Sequence, residues 1–332
     1  MAAPTTPAPY VLILIDLVTG RGHPQAAILE GTTLADSGIS GIGARVSQGD
    51  FVRLVANAHR LTGDPALGLR LGERLNLSAH AVLGQAFMTC QDLAEVIELF
   101  MRYYHLLSPA LELEYEVTDR ECVITTVAIP DPDLEVFGFE LMSAAMRNTL
   151  RGLLGREELV LELEFPYAAP AHEGEYRALF GEHVHFDRPR GRIRFDRALL
   201  RTRLPSSNPA LRALYEQECT RLLQDLESDA SVAEQTLRLL RKLEGQYPQM
   251  PQLARMLNMS PRTYRRRLAR EGESFQALLD RVRVEHATRH LTQTRLPLST
   301  IAYMVGFNDP SNFRRAFRRW TGRSPAEVRA GG

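Results

Sequence analysis

The stretch from Met250 to Arg329 carries one short unit written twice, and that repeat constrains how the chain can fold. The first copy holds Leu253, Ala254, Leu257, Met259, Tyr264 and Leu268. The second holds Ile301, Ala302, Val305, Phe307, Phe313 and Phe317. The first four pairs are offset by 48 positions and the last two by 49, so the second turn is one residue longer. Asn258 and Gly306 stand just past the first helix of each unit, where a left-handed residue ends a helix. Ser260-Pro261 and Asp309-Pro310 then read as an N-cap followed by proline at the first helical position. Each unit predicts helix, tight turn, helix, the arrangement whose second helix enters a DNA major groove.

The second helices carry the chemistry. In the first unit Tyr264 and Leu268 lie one turn apart and face inward. Arg262, Thr263, Arg265, Arg266 and Ala269 are left toward the outer side, flanked by Arg267 and Arg270. In the second unit Phe313, Phe317 and Trp320 face inward, leaving Pro310, Ser311, Asn312, Arg314, Arg315 and Arg318 at or beside the exposed face. A guanidinium suits two tasks, a bidentate fork onto guanine and a charge beside phosphate. A positive stripe opposite an apolar one also describes a plain solvated face. The repeat, the caps and the charge agree on a reading surface instead.

The net charge of zero hides an asymmetry. Residues 1–229 hold 21 Arg against 32 Asp and Glu, a balance of −11; residues 230–332 hold 19 Lys and Arg against 8 acids, a balance of +11. Such a split predicts a nucleic-acid module joined to something else. Cys90, Cys122 and Cys219 are scattered with no Cys-x-x-Cys pair, which fits a reducing compartment. No run reaches the ~18 apolar residues of a membrane span. The apolar run Val11 to Ile15 lacks a preceding basic residue and makes a poor signal peptide. A cytoplasmic protein without membrane contact is expected.

Met1 to Pro9 is rich in Pro, Ala and Thr and reads as loose. Helical patterns follow at Tyr10 to Val18, Asp50 to Leu61, Ala66 to Leu71, His80 to Cys90 and Asp92 to Leu107. Leu111 to Thr118 and Glu121 to Ile129 read as paired strands, with Asp131-Pro132-Asp133 as a turn. Phe137 to Leu154 is helical, Leu159 to Phe165 a third strand, and Glu173 to Phe180 helical. His183 to Phe186 and Arg192 to Phe195 complete the β signals. Residues 66–200 therefore read as α+β, with a small antiparallel sheet. Arg203 to Pro209 reads as a linker, and Ala210 to Leu226 and Ser231 to Leu243 as helices. Ser274 to Thr292 reads as one helix between the two units. At ~1.5 Å per residue it spans roughly 30 Å, comparable to the ~34 Å of one duplex turn. One chain can then set its two reading helices in successive major grooves.

The carboxy-terminal region resembles the DNA-binding domain of the AraC/XylS transcription regulators. The resemblance rests on Gln252-Leu253-Ala254 through Tyr264-Arg265-Arg266-Arg267-Leu268, and more specifically on Ile301-Ala302 through Val305-Gly306-Phe307, Phe313, Ala316-Phe317, Trp320 and Thr321-Gly322-Arg323-Ser324-Pro325. Ser324-Pro325-Ala326-Glu327 also reads independently as a capping box. The amino-terminal part is similar to the effector domain of the subgroup that holds the ornithine-utilisation and VirS-type regulators. Gly63-Asp64-Pro65-Ala66-Leu67-Gly68-Leu69-Arg70, Ser108-Pro109-Ala110-Leu111, and Tyr176-Arg177 to Phe186-Asp187 carry that similarity. Long helices across residues 10–107 do not fit a cupin jelly roll, which needs consecutive strands.

The resemblance implies a regulator that is not an enzyme. It implies an effector-sensing and dimerising domain at 1–205, a linker and connecting helix at 206–229, and a double helix-turn-helix domain at 230–332. It implies promoter DNA, RNA polymerase, a small-molecule effector and a second copy of the chain as partners. It sets the base-reading positions at Arg262, Arg265 and Arg266 in the first unit and at Pro310, Ser311 and Arg315 in the second. Pro310 departs from the polar residue many relatives carry; it can touch a thymine methyl but donates no hydrogen bond. The alternative is that the amino-terminal domain is an interaction or dimerisation module controlled by a protein partner.

Other chemistries find little support. His183 and His185 share one strand face, but no third ligand stands at a metal-binding spacing, and an edge strand is the simpler reading. There is no Gly-x-Ser-x-Gly elbow and no phosphate-binding glycine loop. Three separated cysteines do not make the four-cysteine zinc site of the alkylation-response methyltransferases. No cofactor is expected. An effector is expected between the helices of residues 80–155 and the small sheet, with Phe100, Tyr104, Phe137 and Met142 as lining residues.

Overall fold

Of the stretch Met1 to Pro9, read as loose, Pro4 to Pro9 form a strand and the start of a helix, and Met1 to Ala3 lie outside the described residues. In a computed structural model, which describes residues 4–39, 41, 44–109, 111–128, 134–155, 159–229, 231–243 and 245–330, strand β1 (Pro4–Pro7) pairs antiparallel with β2 (Arg45–Ser47). Proline suits such a two-stranded edge, where few backbone donors are needed. The pairing anchors α1 (Ala8–Thr19), whose Val11, Leu14 and Val18 are fully buried. Two short helices, α2 (Gln25–Ile28) and α3 (Leu34–Ser37), lead to α4 (Gln48–Thr62), which Ser47 caps and Gly63 ends in the left-handed region.

Next come α5 (Leu67–Arg74), α6 (Ala81–Met88) and α7 (Leu93–Tyr103), then the hairpin of β3 (Glu112–Val117) and β4 (Glu121–Ala128). Asp131-Pro132-Asp133, expected as a turn, lies outside the described residues, as does Ala110. Helix α8 (Glu135–Leu154) crosses α5 at close range. Gly68 and Gly72 permit the approach: a Cβ on Gly72 would lie 2.5 Å from the Ala144 Cβ, and one on Gly68 would lie 2.7 Å from the Phe137 carbonyl oxygen. Small residues one turn apart let the two backbones meet.

The remaining strands are β5 (Glu162–Glu164), β6 (Val184–His185) and β7 (Arg192–Asp196), with α9 (Glu173–Phe180) between β5 and β6. The sheet order is β3-β4-β7-β5-β6. Three of its pairings are antiparallel, as expected from the sequence, whereas β5 and β6 run parallel. Parallel pairing needs a crossover connection, and α9 supplies it. Ile124, Leu163, Val184 and Ile193 form the buried face of the sheet and join the core of α6, α7 and α8.

Residues 206–229, read as linker and connecting helix, include α10 (Pro209–Asp229). It lies along α7: Arg102 pairs with Glu216 at 2.5 Å, Arg212 with Glu95 at 3.3 Å, and the Tyr103 and Thr220 hydroxyls are 2.7 Å apart. The chain divides into two compact units, Met1–Leu226 and Glu227–Gly332.

The second unit is all helix: α11 (Val232–Lys242), α12 (Met250–Met256), α13 (Pro261–Arg270), α14 (Phe275–Gln293), α15 (Leu298–Met304), α16 (Pro310–Thr321) and α17 (Pro325–Ala330). It has two cores. One gathers α11, α12, α13 and the first half of α14 around Tyr264; the other gathers α15, α16 and the second half of α14 around Phe313 and Phe317. Among the described residues, no helix of either unit is long and apolar enough to cross a membrane.

Candidate nucleic-acid interface and internal cavity

The repeat read in the sequence is a repeat in backbone geometry. Met259 N–H donates to the Ala254 carbonyl at 2.8 Å, and Phe307 N–H donates to the Ala302 carbonyl at 2.9 Å. Asn258 and Gly306 both take positive φ, at 53° and 78°. Ser260 caps α13 by accepting from the Thr263 N–H, and Asp309 caps α16 by accepting from the Ser311 N–H. Thr263 is therefore part of the cap as well as a surface residue, since Ser260 also donates to its hydroxyl at 2.9 Å.

Buried Tyr264 and Leu268 fix the inner face of α13, and buried Phe313, Ala316 and Phe317 fix that of α16. The outer faces then follow from helical period. Arg262, Arg265 and Arg266 are exposed on α13; Ser311, Asn312, Arg314, Arg315 and Arg318 are exposed on α16, with Pro310 half-buried at its start. Among the described residues, Arg262, Arg265 and Arg266 have no hydrogen-bond or ion-pair partner within the chain. Arginines of the first unit, such as Arg102, Arg177 and Arg212, are instead paired with carboxylates. Arg315 is held by the Asn312 side-chain oxygen at 2.7 Å. A row of unpaired guanidiniums on one exposed helix face is costly in self-repulsion and is relieved by an anionic partner.

Helix α14 lies between the two repeat units, following α13 and leading into α15. At 19 residues it is about 28 Å long. The Trp320 indole N–H donates to Asp280 at 2.9 Å. The Arg283 guanidinium stacks over Phe307 at 4.9 Å and over Tyr247 at 5.5 Å, and burial lowers its pKa. Tyr247 reaches His286 Nδ1 at 2.7 Å. The capping box at Ser324 and Glu327 is formed in both directions, at 2.6 and 3.2 Å. Sequence reasoning missed Asp280, Arg283 and Tyr247, because these partners lie 24 to 40 residues away.

With this geometry in place, comparison with known proteins decides the class. The description "Arabinose-binding domain of AraC transcription regulator, N-term" matches residues 22–204, and "Helix-turn-helix domain" matches residues 253–331. The chain belongs to the AraC family of transcription regulators. It is 36% identical over 328 residues to the ornithine utilization regulator of Pseudomonas aeruginosa, covering 98% of this chain and 97% of that one. It is 31% identical over 302 residues to VirS of Mycobacterium tuberculosis, covering 87% and 86%. Among solved structures it is similar to the transcriptional regulator CdpR of P. aeruginosa at 24% identity and a TM-score of 0.45, over 97% and 98% of the two chains. As an AraC-family member it is a DNA-binding transcriptional regulator and not an enzyme.

The first unit of this AraC-family chain holds a cavity of about 190 Å³. Phe100, Tyr104, Phe137 and Met142, scattered over 43 positions of sequence, all line it. Its place differs from the expectation. Its walls come mainly from α1, α4, α6, α7, α8 and the segments joining them, with Thr6 of β1; among the described residues, no strand of the five-stranded sheet contributes a lining residue. The hydrophobic face of that sheet is already consumed by packing on the helices.

Sequence reasoning also missed the polar corner of the cavity. Tyr10 Oη lies 2.7 Å from His80 Nδ1, and His80 Nε2 lies 2.9 Å from Thr149 Oγ1. Burial pulls His80 down to about 4 and raises Tyr10 above its ordinary value. Only the fold brings these three residues together. A second buried cluster joins Glu140 to His172 at 2.5 Å and to the Tyr176 hydroxyl at 2.7 Å, next to Gly68.

His183 is exposed, and His185 on the edge strand faces Glu162 at 3.3 Å. Cys90, Cys122 and Cys219 are free and buried, and burial pushes the Cys90 and Cys219 thiols up to about 12. Thiols so protonated are poor nucleophiles.

Proposed function

We propose that this AraC-family protein is a single-component promoter switch. Helices α13 and α16 read successive major grooves. Arg262, Arg265 and Arg266 contact bases from the first; Ser311 and Arg315 contact bases from the second, with Pro310 against a thymine methyl. Thr263, Asn312, Arg314 and Arg318 contact the phosphate backbone. The cavity of the first unit takes a small-molecule effector, and the regulator works as a homodimer in contact with RNA polymerase.

One observation supports this reading most. Two capped helices of equivalent backbone geometry, each with one buried face, present exposed arginines, while one helix of about 28 Å lies between the two units. That length is comparable to the ~34 Å between successive grooves on one face of the duplex. For sensing, the support is a cavity bounded by helices that the core does not fill.

An effector can shift the promoter-bound population only by its differential affinity for two arrangements of the protein. The relative's name refers to ornithine utilisation, which makes L-ornithine one effector to try. The test is promoter footprinting of the full-length protein with and without compounds that raise its thermal midpoint. At 100 times its dissociation constant, an effector adds about 2.7 kcal/mol to stability. Occupancy that changes with such a compound supports the switch. Tight, identical occupancy with every stabilising compound would transfer control to a protein partner.

A further inference from the structure

The walls of the cavity carry more information than its presence. Among the described residues, no Asp, Glu, Lys or Arg lines it. Most of the wall is aliphatic or aromatic, with Leu, Val, Ile, Met and Phe side chains from four helices. Its polar lining is Thr6, Gln48, Tyr104 and Ser108 together with the relay Tyr10–His80–Thr149, and each member of the relay is less than a tenth exposed. Because burial holds His80 near 4, its imidazole is neutral at pH 7.

The protons in this relay can be counted. A phenol, a neutral imidazole and an alcohol carry three N–H or O–H protons in all. The two contacts between them use two. If Tyr10 donates to Nδ1, then Nε2–H donates to Thr149 and the Thr149 proton is left over. If Nδ1–H donates to Tyr10 instead, the Thr149 proton goes to Nε2 and the Tyr10 proton is left over. Either tautomer leaves one hydroxyl donor at one end of the relay.

A carboxylate or ammonium group in this space meets no charged lining residue; Arg45, whose charge acts on Tyr10, is not part of the lining and donates to the Leu106 carbonyl at 2.7 Å, and an unpaired charge is strongly disfavoured in an apolar site. A single carbonyl or hydroxyl oxygen can accept the spare proton at no such cost. Resting on the sensing function proposed above, we infer that the effector is a neutral, largely hydrocarbon molecule with one oxygen acceptor, held by the Tyr10–His80–Thr149 relay. The same walls disfavour a zwitterionic amino acid, so L-ornithine is the contrasting probe.

The test uses the full-length protein and four probes: 2-decanone, decane, decanoate and L-ornithine. Thermal shift and titration calorimetry are run on wild type, on Met142→Trp and Leu111→Trp, which fill the cavity from two sides, and on Tyr10→Phe and Thr149→Val. We expect 2-decanone to bind at least 100-fold more tightly than L-ornithine or decanoate and several-fold more tightly than decane. Either tryptophan variant that retains a cooperative melt should lose 2-decanone binding. One of the two relay variants should bind 2-decanone and decane alike.

Decane binding as tightly as 2-decanone in wild type overturns the role of the relay. Equal or tighter binding of decanoate or L-ornithine, abolished by the tryptophan variants, overturns the neutral-ligand inference but leaves sensing by this cavity intact. Binding of 2-decanone that survives both tryptophan variants places it elsewhere and also overturns the inference. If no probe binds, the inference fails. The sensing function then fails separately only if no stabilising compound alters promoter occupancy.

Discussion

Trp320, near the end of α16, donates its indole N–H to Asp280 on α14 at 2.9 Å, across 40 residues of sequence. The bond fastens α16 to α14, the helix that shares a core with α13. Arg283, three residues further along α14, adds a second fastening by stacking on Phe307 at the turn of the second unit. A hydrogen bond to a charged acceptor contributes more than a neutral one. Trp320→Phe keeps the ring and removes the donor. It is expected to cost about 1 to 2 kcal/mol in urea unfolding and to weaken binding to a two-groove site more than to a single half-site. An unchanged unfolding midpoint together with unchanged two-groove affinity would show the bond to be incidental.

Arg266 and Lys242 separate base reading from general attraction. Arg266 is exposed on the outer face of α13, whereas Lys242 closes α11, outside either repeat. Arg266→Ala is expected to lose about 1 to 3 kcal/mol of discrimination between operator and random DNA. Lys242→Ala should change affinity little. Competition binding at fixed salt measures both. Equal losses on operator and random DNA for Arg266→Ala would make it a phosphate contact.

The α5–α8 crossing gives a test on stability. A methyl at position 72 would meet the Leu141 carbonyl oxygen at 2.8 Å and the Ala145 nitrogen at 2.9 Å, and backbone cannot step aside as a side-chain tip can. Gly72→Ala is expected to destabilise by about 1 to 3 kcal/mol despite its better helix propensity. Gly174, exposed in α9 with open space where a Cβ would be, is the control. Gly174→Ala should stabilise, by up to ~1 kcal/mol. Denaturation of both variants decides; a Gly72→Ala protein as stable as wild type would contradict the close crossing.

His80 makes stability depend on pH. Its pKa falls from 6.5 in the unfolded chain to about 4 in the buried relay. Between those values the unfolded state binds a proton that the folded state does not, so stability rises with pH. The contribution, on the order of 3 kcal/mol, is present above about 6.5 and is lost as pH falls toward about 4. His80→Gln should flatten that part of the profile by close to one proton. Superimposable wild-type and His80→Gln profiles between pH 6.5 and 4 would refute it.

What was legible in the sequence was local. Asn258, Gly306, Ser260 and Asp309 act on backbone within a few residues of themselves, so the turns and caps of both units could be read directly. The buried faces followed from helical period in Tyr264 and Leu268 and in Phe313 and Phe317. What could not be read depends on contacts distant in sequence. Pro4–Pro7 gains its strand from Arg45–Ser47, and β6 gains its parallel direction from the crossover helix α9. Tyr10 and His80 are 70 residues apart and Glu140 and Tyr176 are 36 apart, so no spacing rule joins them. Phe100 and Tyr104 were recognisable as one helical stripe. That they share a cavity with Phe137 on α8 depends on how α7 and α8 pack.

The central claim is that α13 and α16 engage DNA together, and hydroxyl-radical footprinting of the full-length protein on its own promoter measures this directly. Two protected windows on one face of the duplex, about 10 base pairs apart, are expected for each bound chain. Arg266→Ala should weaken one window and Arg315→Ala the other. A single window per chain, or two windows that fade equally in both variants, would contradict a two-headed reader built on α14.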